Sequence, residues 1–120
     1  MTEHLSGRTG GDAVAVEVLD HTIAVRPTGE IDVDTAPSLE QALKHALVHA
    51  SPAKDVVVDC SGLTCCDSSG LNTLLAIRRA AQESDTVIRL ASPAPQLHRL
   101  LEMTGTLALF PIDQDPPAAA

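Results

Sequence analysis

The sequence predicts an α/β fold, a mixed sheet of four to five strands packed against three or four helices. Three observations carry that prediction. Two valine-rich runs, 13–19 and 22–26, flank Asp20-His21 and read as strands joined by a turn. Val56-Val57-Val58 is continuously apolar, the character of a strand covered on both faces. Helical apolar spacing then alternates with further strand-like runs, giving the order ββαβαβα and a last short strand over 107–110.

A chain of 120 residues makes one domain with a single core, and a hydrophobic share of 44% is enough to build it. That core is aliphatic, because Phe110 is the one aromatic residue. A net charge of −8 opposes binding to nucleic acid or to anionic membranes. No apolar run has the length of a bilayer span, and Met1–Gly7 lacks the basic start and apolar centre of a signal peptide, so a cytoplasmic protein is expected.

Taken in order, residues 1–12 are polar and glycine-containing and read as a flexible tail before a domain over 13–112. Ala13–Leu19 is the first strand and Thr22–Arg26 the returning one, closed by Pro27, which has no N–H for a ladder. Gly29–Asp34 connects to a helix that Asp34 or Thr35 can cap, with Pro37 tolerated in the first turn. Ala36, Leu39, Leu43, Ala46, Leu47 and Ala50 form its buried stripe, and Ser51-Pro52 ends it. After the Val56–Val58 strand, the loop 60–66 leads into Asp67-Ser68-Ser69-Gly70-Leu71 and a second helix. There Leu71, Leu74, Leu75 and Ala81 face inward, while Asn72, Ala76, Arg79 and Glu83 fall on the opposite side. Thr86–Ala91 is a further strand. Ser92-Pro93 starts a third helix carrying Leu97, Leu100, Leu101 and Met103, and Gly105 terminates it. The tail 113–120 is expected to be disordered.

Several chemistries are excluded by spacing. Cys60, Cys65 and Cys66 contain no CxxC pair, so they read as buried free thiols acting as small hydrophobes, with no metal. His45 and His49 are four apart but have no third ligand and read as exposed polar residues. Cys66-Asp67-Ser68-Ser69-Gly70 is not G-x-S-x-G, and none of the five histidines falls where a base for Ser68 would stand. No glycine-rich phosphate loop is present, so no nucleotide or other cofactor is expected. The serines at the start of the second helix have two readings. One is an ordinary cap, satisfying free amide groups. The other is a modifiable hydroxyl at Ser68, where the helix dipole and open N–H groups tolerate a phosphate.

Three stretches resemble a known family. They are Gly29-Glu30-Ile31-Asp32 with Thr35-Ala36; Val58-Asp59-Cys60-Ser61 through Asp67-Ser68-Ser69-Gly70-Leu71; and Leu97-His98-Arg99-Leu100-Leu101 with Thr104-Gly105. In this order the chain resembles the STAS domains over roughly residues 13–110, and among them the bacterial anti-sigma factor antagonists. The resemblance implies a non-enzymatic switch in partner choice. Unphosphorylated, such an antagonist binds an anti-sigma factor that is also a serine kinase. Phosphorylation of the first serine after the motif's Asp, here Ser68, ends that binding, and a serine phosphatase reverses it. The resemblance places Asp32, Asp67, Ser69 and Gly70 around that serine and the partner surface along Asp34, Thr35, Asn72, Ala76 and Arg79. Cys65 and Asn72 depart from the family's usual residues. The alternative is a STAS scaffold or regulatory module of a larger assembly such as a transporter; a free-standing chain with Asp67-Ser68 intact favours the antagonist.

Overall fold

The structure, a computed structural model, describes residues 3–9 and 12–118, with side chains from Val14 onward. The chain opens with β1 (Glu3–Thr9), β2 (Asp12–Val18), β3 (Thr22–Arg26) and β4 (Gly29–Ile31), followed by α1 (Ala36–His49). It continues through β5 (Asp55–Asp59), β6 (Leu63–Cys66) and α2 (Ser68–Gln82). After β7 (Ile88–Ala91) come α3 (Pro95–Met103), a 3₁₀ turn over Leu107–Leu109, and β8 (Ile112–Asp113).

Side-chain alternation decides which way the main sheet faces. Val14, Val16, Ile23, Val25, Val56, Val58, Ile88 and Leu90 all enter one core, together with Leu39 and Leu43 of α1, Leu71, Leu74 and Ile77 of α2, and Leu97 and Leu101 of α3. The three helices therefore share one face of the sheet. Its strand order is β1-β2-β3-β5-β7-β8. The β1–β2 and β2–β3 pairs are antiparallel, and β3–β5, β5–β7 and β7–β8 are parallel. Each parallel step crosses over through a helix, as short right-handed connections require. The expected mixed α/β architecture is the observed one.

On the opposite face, Arg26 ends β3 beside Asp59 at the end of β5. Its guanidinium donates to Asp59 Oδ2 at 2.8 Å and to Glu17 Oε1 at 2.9 Å. Asp59 and Glu17 are both buried, so each charge there is paired, as burial demands.

The ends of the chain differ from expectation. The tail assigned to 1–12 is corrected over its described part, since Glu3–Thr9 pairs with β2 along its whole length from Glu3↔Val18 to Thr9↔Asp12. Pairing uses backbone groups alone, so a polar segment can occupy an edge without adding apolar side chains. The strand expected at 107–110 is a 3₁₀ turn instead, with Phe110 buried at its end. The pairing falls on Ile112–Asp113, beside Leu90 and Ala91.

Tail residues 113–118 are likewise held. Arg89 binds Asp113 at 2.7 Å, Ser92 Oγ donates to the Gln114 carbonyl at 2.7 Å, and Arg26 donates to the Pro117 carbonyl at 3.2 Å. Residues 119–120 lie outside the described residues. The third helix begins at Pro95 rather than Ser92, because Ser92 has φ +51° and cannot enter a right-handed helix.

Candidate functional site

Two short strands outside the main sheet build the site. β4 and β6 pair in parallel with Ile31 opposite Cys66, and the Asp67 N–H extends the ladder by donating to the Ile31 carbonyl at 3.0 Å. Asp32 and Asp67 thus leave the pair as neighbours in register, each opening a turn into a helix. Asp67 Oδ1 accepts from the Ser69 N–H at 2.8 Å and the Gly70 N–H at 3.3 Å, which makes it the N-cap of α2. Asp32 Oδ1 does the same one loop away, accepting from the Asp34 N–H at 2.9 Å and the Thr35 N–H at 3.1 Å.

The expectation that Asp34 or Thr35 caps α1 is met at Thr35 in position, though not by a side-chain bond to the helix. Thr35 occupies the cap position, but its hydroxyl accepts from the Asp32 N–H at 2.9 Å and lies 2.8 Å from the Glu30 carbonyl, bracing the turn. Asp34 is exposed.

Ser68 is the first residue of α2 and is exposed, and no hydrogen bond holds its hydroxyl among the described residues. Ser69 is half-buried, and its carbonyl accepts from Thr73 Oγ1 at 3.1 Å. Gly70 is buried where α2 meets the strand pair. A Cβ there would lie 2.5 Å from Cys66 Sγ and 2.7 Å from Ile31 Cγ2, so only glycine lets the helix approach this closely.

Asn72, Ala76 and Arg79 are exposed on α2 and follow Ser68 along one side of the helix, while Leu71, Leu74 and Ile77 are buried on the other. The structure thus gathers Asp32, Asp34, Thr35, Asp67, Ser68, Ser69 and Gly70 at one pole, with the other three running away from it. The pole is acidic, since segments 29–37 and 61–71 contain Glu30, Asp32, Asp34 and Asp67 but no Lys or Arg.

One residue bonded to the strand pair has no signal in the sequence. Gln96, in the first turn of α3, donates from Nε2 to the Cys66 carbonyl at 2.8 Å and accepts at Oε1 from the Cys66 N–H at 2.9 Å. Nothing in a helical apolar pattern marks an amide that reaches a strand thirty positions earlier.

The reading of all three cysteines as buried is corrected, because Cys65 is exposed; Cys60 and Cys66 are buried. Burial pushes the Cys60 thiol up to about 12 and the Cys66 thiol up to about 11. His45 is exposed as expected, whereas His49 is half-buried, and their rings lie tilted with centroids 5.8 Å apart on α1. Among the described residues no cluster of His, Cys, Asp or Glu could hold a metal ion, and no helix is long and apolar enough to cross a membrane.

Comparison with known proteins agrees with the fold. The family model described as Mlab, STAS domain, matches residues 14–110. An anti-sigma-B factor antagonist of Staphylococcus aureus is 26% identical over 95 residues, covering 79% of this chain and 86% of that protein. The crystal structure of an anti-sigma factor antagonist from Mycobacterium paratuberculosis is similar with a TM-score of 0.72 and 27% identity, over 94% of this chain and 86% of that one. The Bacillus cell fate determinant SpoIIAA in its phosphorylated form has the same fold, with a TM-score of 0.63 and 19% identity over 84% of this chain and 91% of that one. The matched span takes in the strand pair that frames the pole, the core and all three helices, and on that evidence the chain belongs to the STAS domain family.

Proposed function

We propose that the protein is a cytoplasmic anti-sigma factor antagonist whose unphosphorylated form binds an anti-sigma factor with serine kinase activity and so frees the sigma factor. Phosphorylation of Ser68 switches it off, and a serine phosphatase restores it. The observation that carries the proposal is Ser68 itself, an exposed hydroxyl that no hydrogen bond holds among the described residues, at the start of a 15-residue helix. Two relatives support it by name as antagonists, and a protein of the same fold has been solved in a phosphorylated form.

The residues suit such a switch without any catalysis of their own. Ser68 Oγ attacks the γ-phosphorus of the kinase's ATP, the bond to the ADP oxygen breaks, and the hydroxyl proton passes to a base on the kinase. Asp67 does not compete for the phosphoryl group, because its carboxylate is engaged by the Ser69 and Gly70 amides. The product adds about −1.5 to −2 charges at a helix N-terminus, where the dipole offsets them by ~0.3–1 kcal/mol, so the fold persists. The partner surface, along Asp34, Thr35, Asn72, Ala76 and Arg79, meets a different situation. In the complex the nucleotide's own phosphates face Ser68, and a phosphoserine there meets like charge in a desolvated setting.

The test is incubation with a candidate anti-sigma kinase and ATP, followed by mass-spectrometric mapping. Phosphate on Ser68, absent from Ser68→Ala, is expected. Phosphate on Ser69 with Ser68→Ala still fully modified overturns the assignment.

A further inference from the structure

We infer that Gln96 is a positioning residue for the phosphoacceptor, its side-chain amide serving as a one-residue third strand on the open edge of the β4–β6 pair; the functional part of this inference rests on the proposed phosphorylation of Ser68. In a parallel ladder successive residues turn their N–H and C=O groups to alternate sides. Cys65 pairs with Glu30, and the Asp67 N–H bonds the Ile31 carbonyl, so this strand spends those groups on β4. The Cys66 N–H and carbonyl must face the other way, where no strand follows among the described residues.

Gln96 fills that gap with both halves of its amide, at 2.9 Å to the N–H and 2.8 Å to the carbonyl. A peptide group in an adjacent strand would make the same two bonds, and a glutamine amide is the side chain that copies it. The backbone is therefore gripped from both sides at the two residues just before Ser68: Cys66 by α3 and Asp67 by β4. The Ser68 hydroxyl has no hydrogen bond among the described residues, so its position is inherited from the backbone of these neighbours. The grip comes from α3, away from the exposed α2 residues Asn72, Ala76 and Arg79 that the partner is proposed to cover.

This arrangement separates holding from docking, and the separation is measurable. Amide hydrogen exchange of the isolated protein tests the holding. In Gln96→Ala the amides of Asp67, Ser69 and Gly70 are expected to exchange at least tenfold faster, while those of Val57 and Val58 in β5 keep the parent rate. Gln96→Glu keeps the size and the acceptor but cannot donate to the Cys66 carbonyl, and the same pattern is expected.

Kinetics with the kinase test the consequence. For both variants kcat for Ser68 phosphorylation falls at least tenfold, and KM stays within about twofold because the α2 face is untouched. If only the Cys66 amide changes its exchange, or if kcat is unaltered, Gln96 does not position the acceptor. A rise in exchange that includes β5, with kcat and KM changing together, makes Gln96 a general stabiliser and equally overturns the inference. Should the parent not be phosphorylated on Ser68, the functional proposal fails, and the exchange pattern alone decides whether Gln96 holds the loop.

Discussion

Replacing Gly70 by alanine tests the close approach on which the acceptor pole is built. The added methyl would sit 2.5 Å from Cys66 Sγ and 2.7 Å from Ile31 Cγ2, with Ile31 Cβ at 3.2 Å. Neither neighbour can yield into solvent, since Ile31 is 3% exposed and Cys66 1%. Two effects oppose each other. Alanine is the better helix former by up to ~1 kcal/mol, through the backbone entropy that glycine loses. Forcing a methyl into a filled core costs ~1–3 kcal/mol, and two approaches this short belong at the upper end of that range. The net is a loss of about 2 kcal/mol, which in a chain of this size lowers Tm on the order of 5–10 °C.

The cheapest relief is for the first turn of α2 to lift from β4 and β6, carrying Asp67 and Ser68 with it. Partner affinity should therefore fall by more than the stability loss alone accounts for. Thermal melts followed by circular dichroism suit a chain with no Trp or Tyr. A Gly70→Ala protein that melts at or above the parent would refute the reasoning, because it would mean that helix entropy and not the contact dictates glycine here.

Three further outcomes are expected. Ser68→Asp should melt close to the parent, since aspartate suits a helix start by ~0.3–1 kcal/mol, yet calorimetry should find it binding the anti-sigma partner on the order of tenfold to several hundredfold more weakly while Ser68→Ala still binds; equal affinity of Ser68→Asp and parent would show that the partner does not read charge there. An alkylating reagent at mildly alkaline pH should modify Cys65 alone in the folded protein, with Cys60 and Cys66 reacting only on unfolding, because burial both hides their thiols and pushes them up to about 12 and about 11; mass spectrometry showing two or more additions to folded protein would contradict this. The third outcome concerns acid. Burial works against the charge on Asp59, but the Ser61 hydroxyl and amide and the Arg26 guanidinium outweigh it and hold the carboxyl below its ordinary value of 3.8. A carboxyl depressed in the folded state contributes stability above its ordinary value and loses it as pH falls through the folded one, so Tm should drop on acidification below about pH 4 and drop less in Asp59→Asn. Parallel acid profiles for the two proteins would remove Asp59 from the account.

The parts of this fold legible in the sequence are those where side chains decide the structure. Val56-Val57-Val58 announces a central strand because it is covered on both faces, and Leu39, Leu43 and Ala46 announce α1 because a buried stripe must recur at helical spacing. The pole was legible in part: a capped helix start was read at the serines, but Asp67 supplies the cap and Ser68 is the first helical residue. Where backbone groups decide, the signal is faint. Glu3–Thr9 and Ile112–Asp113 join the sheet through N–H and C=O groups that every residue carries. Thr35 stands at the cap of α1 without a capping side-chain bond, because its hydroxyl is engaged by the Asp32 N–H and the Glu30 carbonyl, and only the turn's geometry selects that partnership. Gln96 was invisible for a related reason, as its role depends on a strand edge that the linear order does not display.

The two aspartates that close the strand pair draw their turns to one pattern. Asp32 gathers the amides two and three residues ahead, and Asp67 does the same. In each turn the residue just after the aspartate is left at the apex: Ser68 in one, Val33 in the other, the latter 72% exposed. The pole is thus a pair of matching pedestals, one displaying a hydroxyl and the other an isopropyl group. Because the pedestal and not its occupant maintains the architecture, position 33 is free to vary at little cost to folding. On the function proposed above, Ser68 stays constant while position 33 varies, and a partner that meets both apexes tells one such chain from another by the second.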